Sequence, residues 1–361
     1  MPNLLNIVAD DTLGRIAAAF EKQNQINEIV DKSGSPGGTK LVAGNKTAGF
    51  LGFVKASDFI TGSALATAIG LTNGTLQNDT TPWIKYMWQG KICFTPLKTI
   101  RHSVTWDSIY NCGCVYGADD EGTLPPAGRL GTGISISSVD NSINGVNMFF
   151  QGDKSAAQLY ADTIGIVGDV ITLKGWTNVG NNGDATIVSI TNDKIVVSGL
   201  TLVTETGTND KKFFKKTNAV TQNKTITIGA LTYSVSLPKG SNLDIHAKDA
   251  DAIGLNNEWN WIIGQLHQQA KLKNWAYPQF MDSSLGDFGV SLTDKDLCTH
   301  YNFGNGSRSW CRELWMNDNR PWLRVPRGIL GVSLLNGGYS WNTYIDYGFR
   351  PRLELSQTAT L

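Results

Sequence analysis

Apolar positions in this chain fall into short alternating runs far more often than into helical stripes. Trp83 to Leu97 reads WIKYMWQGKICFTPL, two β-prone runs flanking Gln89-Gly90, which predicts a hairpin. A second hairpin is expected from Thr225–Ile228 and Leu231–Leu237, with Gly229-Ala230 as its turn. Between them, residues 158–206 alternate in strands expected near 169–174, 184–190 and 194–198. Turns at Asn181-Asn182-Gly183-Asp184 and Asn192-Asp193 separate these strands, a pattern that predicts a small β-barrel or sandwich.

Helical spacing is confined to a few places. Residues 4–31, with capping chemistry at Asp10-Asp11-Thr12, put Leu13, Ile16, Phe20, Ile26 and Val30 near one face. Gln23, Asn24 and Asn27 interrupt that stripe. Such a helix docks on a neighbour, joins copies of itself, or packs on its own domain. Residues 33–38, SGSPGG, then read as a flexible linker. A short amphipathic stretch surrounds Trp106 to Tyr110. Asn257 to Ile263 opens a helix expected to reach about Lys273, with Ile262, Ile263, Leu266, Ala270 and Leu272 on its buried side. Loops rich in Gly, Asn, Ser and Trp follow; seven of the eleven Trp lie between 259 and 341.

The expected fold class is therefore α+β and β-rich, in four parts. Residues 1–38 form an N-terminal anchoring helix and linker, and 39–157 the first part of a β-rich body. Residues 158–210 form an inserted β module, and 211–361 a last domain completed by part of 80–152. Composition narrows what such a chain does. Lys plus Arg is 31 and Asp plus Glu is 31, so the formal net charge is zero. This argues against nonspecific nucleic-acid binding, which needs many cations to displace counterions. It suits a chain with surfaces committed to protein neighbours. No run approaches the roughly 18 apolar residues of a membrane span. No basic segment followed by an apolar stretch opens the chain, so neither membrane insertion nor a secretory signal is expected.

Candidate chemistry is sparse. Cys93, Cys112, Cys114, Cys298 and Cys311 are an odd number at scattered spacing, a poor disulfide framework that reads as thiols in a reducing compartment. Asp119-Asp120-Glu121 is either a solvated turn or a calcium-binding loop. Lys211 to Lys216, KKFFKK, is the one basic run and reads either as a solvated linker or as a phosphate or membrane contact. No Gly-X-Ser-X-Gly elbow, phosphate loop or His-Glu-X-X-His motif occurs. No cofactor, metal or catalytic residue is assigned, and no enzyme activity is expected.

The C-terminal segment carries a resemblance. Arg324-Val325-Pro326-Arg327-Gly328 leads through polar loops to Tyr347-Gly348-Phe349-Arg350-Pro351-Arg352-Leu353-Glu354-Leu355. This order resembles the close of the formylglycine-generating-enzyme, or sulfatase-modifying-factor, branch of the C-type-lectin fold. The resemblance makes Arg327, Gly328, Gly348, Phe349 and Arg350 fold residues. It does not carry catalysis over, since Cys298 and Cys311 do not stand just before the Gly-Phe-Arg strand. Residues 60–75, 83–117, 226–240, 257–260 and 346–355 resemble segments of tailed-bacteriophage virion proteins of the tail, baseplate, collar or fibres. The resemblance implies assembly in a bacterial host cytoplasm into the virion. It also implies attachment to other virion proteins through the N-terminal helix, and a homo-oligomer of trimeric or higher ring symmetry.

Two aromatic and polar clusters are candidates for binding a host-surface glycan or protein. One is Trp310, Arg312, Trp315, Asn317, Asp318, Asn319 and Arg320; the other is Tyr339, Trp341, Asn342 and Tyr344. Aromatic faces stack on sugars, and Trp, Tyr and Arg are enriched at binding hot spots. The competing reading makes the Trp core and lets the polar residues satisfy loop backbone.

Overall fold

The computed structural model describes residues 30–117, 135–144, 166–191, 194–207, 212–215, 220–240, 246–247, 257–267, 289–297, 304–315, 323–328 and 337–356. Among them the chain is β-rich, with few short helices and three seven-stranded sheets.

The first sheet is antiparallel throughout. Its order is β1 (Ala43–Gly44), β2 (Ala48–Val54), β4 (Trp83–Trp88), β5 (Lys91–Pro96), β21 (Arg352–Leu355), β15 (Leu231–Ser236) and β14 (Thr225–Ile228). The predicted hairpin β4–β5 closes between Trp88 and Lys91, with Gln89 at φ 50° and Gly90 at φ 80°. Two left-handed residues in a two-residue loop match the twist of the flanking strands. All six positions of β4 are buried, so its sequence shows no clean alternation. Ile84, Tyr86 and Trp88 join one core, and Trp83 and Met87 the core on the other face. That second core holds two helices, α1 (Gly62–Ile69), which the apolar pattern did not reveal, and α2 (Trp106–Asn111). Thr61 and Thr105 cap them through their hydroxyls, each taking the N–H three residues on.

The second sheet is the β module. Its order is β12 (Glu205–Thr206), β7 (Ser135–Ser137), β8 (Ser142–Asn144), β11 (Lys194–Ser198), β10 (Gly183–Ile190), β9 (Val170–Lys174) and β13 (Lys212–Lys215). The Glu205 carboxylate accepts from Thr177 N and Asn178 N at 2.8 and 3.0 Å, which brings the β12 edge round to the loop after β9. Ile136, Ile143, Ile171, Leu173, Ala185, Ile187, Ile195 and Val197 fill the interior. Two expectations change here. The sheet recruits β7 and β8 from before residue 158. The basic run at 211–216 is largely an edge strand paired with β9, where a linker was expected.

The third sheet runs β19 (Gly338–Tyr339), β18 (Leu323–Arg327), β17 (Arg308–Trp315), β20 (Tyr347–Phe349), β6 (Arg101–His102) and β3 (Thr75–Leu76), with β16 (His246–Ala247) beside β17. The C-terminal strands knit the body together: β20 sits between β17 and β6, and β21 three residues later sits between β5 and β15. A further short helix, α3, covers Asp294–Leu297.

The expected N-terminal helix over 4–31 lies outside the described residues except at its end, where helix is not found. Val30 pairs with Lys40 in an antiparallel bridge, and Asp31 N donates to Thr39 O at 2.7 Å. The segment expected to be a flexible linker is fastened to the body. The Asp31 carboxylate accepts from Ser33 N at 2.8 Å and Ser35 Oγ at 2.6 Å, and Lys85 Nζ lies 2.7 Å away. Both charged side chains are fully buried. Burial pushes the Lys85 ammonium down against the pull of Asp31. Burial alone would raise Asp31, but Lys85 and the two serines outweigh it and hold the carboxyl below its usual range.

Candidate functional site

The helix expected from Asn257 is helical over 258–266, widened to a π-helix at Asn260–Gly264; Ala270 and Leu272 lie outside the described residues. Its first turn carries a dense buried network. Glu258 accepts from Tyr86 Oη at 2.6 Å and from Lys239 N at 2.9 Å, and the Arg352 guanidinium lies 3.1 Å from it. Arg352 also engages Glu354, which meets Lys91 at the surface. Gly240 is the second hub. Its carbonyl accepts from Asn257 Nδ2 and Arg327, both at 2.9 Å, and its N–H donates to Glu313 at 3.0 Å. Arg327 reaches on to Asn260 Oδ1 at 2.6 Å. The Arg327 and Arg350 guanidinium groups lie 5.8 and 5.3 Å from the Trp259 ring. A Cβ on Gly240 would stand 2.5 Å from Cys311 Sγ, so only glycine fits this hub.

The network's chemistry is that of a fastening. Cys311 is buried, and burial pushes its thiol well above the usual range, so it is a neutral thiol at pH 7. Burial likewise pushes Cys93 up to about 12. Burial raises Glu313 to about 7, although Arg312 and the Gly240 N–H pull the other way. The resemblance-derived fold residues belong to this framework: Arg327, Phe349 and Arg350 are completely buried, and Arg350 donates to Leu297 O. Gly348 packs against Thr99, and Gly328 adopts φ 100° at the end of β18.

The binding candidates separate. Trp310 is core, against the expectation of a ligand contact: it is fully buried, stacks on Tyr347 at 4.3 Å and donates its indole N–H to Val104 O at 2.7 Å. Arg312 is half-buried. The Trp315 side chain and Asn317, Asp318, Asn319 and Arg320 lie outside the described residues. The second cluster lies on one loop. Tyr339 and Trp341 stack at 5.2 Å with planes 9° apart, both half-buried, and Tyr344 is 67% exposed. Asn342 N closes a turn onto Tyr339 O at 2.9 Å. Asp107 of α2 anchors this loop, a link across more than two hundred residues that no local motif announces. Its N–H donates to Ser340 O at 3.1 Å, and its carboxylate accepts from Ser340 Oγ at 3.0 Å. At the loop's far end Asp346 pairs with Arg308 at 2.6 Å, and Arg308 lies 4.8 Å from the Tyr347 ring.

Among the described residues no group of three or more His, Cys, Asp or Glu side chains could hold a metal ion. No described helix is long and apolar enough to cross a membrane. Asp119-Asp120-Glu121, Cys298 and the helix positions Leu13, Ile16, Phe20 and Ile26 lie outside the described residues. No family model matches this chain, and neither does any curated protein or solved structure.

Proposed function

We propose that this chain is a structural component of a tailed-phage virion, in its tail, baseplate, collar or fibres, with a C-terminal C-type-lectin-like domain. The observation that carries the reading is where the resembling segments lie. Residues 60–75 supply α1, 83–117 supply the β4–β5 hairpin and α2, and 226–240 supply β14–β15. Residues 257–260 supply the buried helical turn, and 346–355 supply β20 and β21. Four of them close on one body through Glu258, Arg352 and the strands that flank β21, and Leu65 and Ile69 of α1 lie in the core those strands cover. Segments that resemble one kind of protein also form one packed unit. Their buried charges serve to join distant parts of the chain. Anchoring through the N-terminal segment and oligomerisation with ring symmetry complete the proposal. Antibodies raised against the purified chain should label one fixed position on intact particles by immunogold microscopy. Particles free of the chain would overturn the proposal.

A second reading, recognition of a host-surface glycan, draws on the stacked Tyr339–Trp341 pair beside Asn342 and exposed Tyr344. Flat aromatic faces beside an amide match the apolar faces and hydroxyls of a sugar ring. Trp341→Ala should then lower adsorption without changing particle assembly; unchanged adsorption would argue against it.

A further inference from the structure

The strap after residue 30 lies against β2 and β4 of the first sheet. Gly37 and Gly38 permit this: a Cβ on Gly37 would stand 2.4 Å from Val54 Cγ2, and one on Gly38 would stand 2.4 Å from Leu51 O. Beneath the strap, Lys85 of β4 stands opposite Phe94 of β5, its ammonium 5.8 Å from that ring. Phe59 packs on both Phe94 and Tyr233, with ring centroids 4.4 and 5.4 Å apart. Beside these rings Lys85 Nζ and the Asp31 carboxyl stand 2.7 Å apart, both side chains sealed from solvent. Ser33 N donates to Asp31 Oδ1 at 2.8 Å, Ser35 Oγ donates to Oδ2 at 2.6 Å, and Ser35 O accepts from Lys85 at 3.3 Å. The Tyr233 hydroxyl is buried and has no hydrogen-bond partner among the described residues.

A buried ion pair stabilises little more than an apolar pair of the same volume, so stability alone is a weak reason to seal an amine and a carboxyl together. In water the two do not react, because an ammonium has no lone pair and a carboxylate resists attack. Burial changes this by pushing the Lys85 ammonium down toward the free amine. Ser33 N–H polarises the carboxyl as an oxyanion donor does, and Ser35 Oγ already holds its second oxygen. Burial, and then the Asp31 charge, push the Tyr233 hydroxyl up to about 12, so it stays a neutral donor within reach of that charge. Amine and carboxyl are held in contact, which removes the entropy of bringing them together.

We infer that Lys85 and Asp31 condense into an amide, an isopeptide bond that fastens the N-terminal strap to β4. The ion pair is the starting form. One proton passes from the Lys85 ammonium to Asp31 Oδ2, and the amine lone pair attacks Asp31 Cγ to form the C–N bond. A second proton leaves the nitrogen for Oδ2 through Ser35 Oγ, the Cγ–Oδ2 bond breaks, and water departs. Oδ1 remains as the amide carbonyl on Ser33 N, and the nitrogen keeps one hydrogen, so no oxidant, reductant or cofactor is needed. The charges select the partner and the bond makes the choice permanent; until it forms, charge alone holds the strap. The chain from Asp31 to Lys85 is then a closed ring, and a pull on the N-terminal segment passes straight into the first sheet. The bond itself needs nothing from the proposed function.

The test is the intact mass of the purified full-length chain, followed over days at neutral pH. Wild type should contain a species lighter than the sequence requires by one water, present on purification or growing with time. Trypsin should then release residues 23–32 joined to 56–91 and uncut at Lys85, since an acylated lysine is not a trypsin site. Lys85→Arg keeps the positive charge but has no amine to acylate, so that variant should hold its full mass and give no branched peptide. A wild type at full sequence mass throughout, a water lost without the branched peptide, or a branched peptide from Lys85→Arg would each overturn the bond. The wild-type mass and peptide decide the matter even where the variant fails to fold. Particles lacking the chain would overturn the proposed function and leave this bond standing; a chain of full sequence mass found in particles would do the reverse.

Discussion

In the β module, Asn141, Asn181 and Asn182 hold loops through amide hydrogen bonds, and the charged groups stay near solvent. In the body around it the same task falls to buried charge. Lys85 with Asp31 fastens the N-terminal strap, Glu258 with Arg352 joins the helical turn to the sheet, and Arg327 joins β18 to Gly240. The module pairs strands lying within about eighty residues of one another, and amides together with the half-exposed Glu205 carboxylate fix its loops. The body joins segments as far apart as Tyr86 and Glu258, and a buried charge makes a wrong pairing costly. The two regions should therefore fail differently.

The largest effect is expected at the strap. Lys85→Met alone leaves Asp31 buried without its cation and should destabilise the body by about 3–5 kcal/mol in denaturant unfolding. Adding Asp31→Asn should recover most of that loss; a double variant as unstable as the single one would show that the pair is not the cause.

Acid should then separate the regions. Burial raises Glu313 in the folded body from 4.5 to about 7, so its contribution is present below about pH 4.5 and fades as pH rises to 7. The stability of Glu313→Gln relative to wild type should rise by about 3 kcal/mol across that window and be level above it. Glu205 in the β module has the opposite sign. Burial alone would raise it, but the N–H groups of Asn178 and Thr177 and the Asn181 side chain together bring it to about 2. The cost of Glu205→Gln should be greatest above pH 4.5 and shrink as pH falls toward 2. Parallel pH profiles for the two variants would erase the distinction.

Smaller effects follow. Gly240→Ala forces a Cβ against Cys311 and should cost about 1–3 kcal/mol, in the body alone. Asn181→Ala strips partners from both backbone groups of Val203 and should cost about 1–2 kcal/mol, in the β module alone. Trp341→Ala removes one partner of a half-exposed stack and should cost under about 1 kcal/mol by thermal unfolding.

The same contrast explains what the sequence could say. Strands β9, β10 and β11 and both hairpins announce themselves because each alternates or brackets a turn, whereas β7, β8, β12 and β13 are too short or too charged for local pattern to mark. The buried charges do not announce themselves. Lys85 lies inside WIKYMW and Glu258 inside NEWNW, and nothing nearby marks either as internal, because the partners lie in other segments. SGSPGG read as a leash for the same reason: its composition favours flexibility, and the Asp31–Lys85 pair that pins it is non-local. KKFFKK read as solvated because its charge count hid a strand on the module's edge. Of the binding candidates, Trp310 takes the core alternative, which residue type alone could not separate from a ligand contact, while Tyr339 and Trp341 do share a loop.

A density map of intact particles, resolved well enough to trace this chain, tests the whole account most directly. The account predicts the chain at a symmetric position, its strap seated on Lys85 and its C-terminal strands joined to the body through Glu258 and Arg352. Particles in which the chain is missing, or present with the strap released from Lys85, would contradict it.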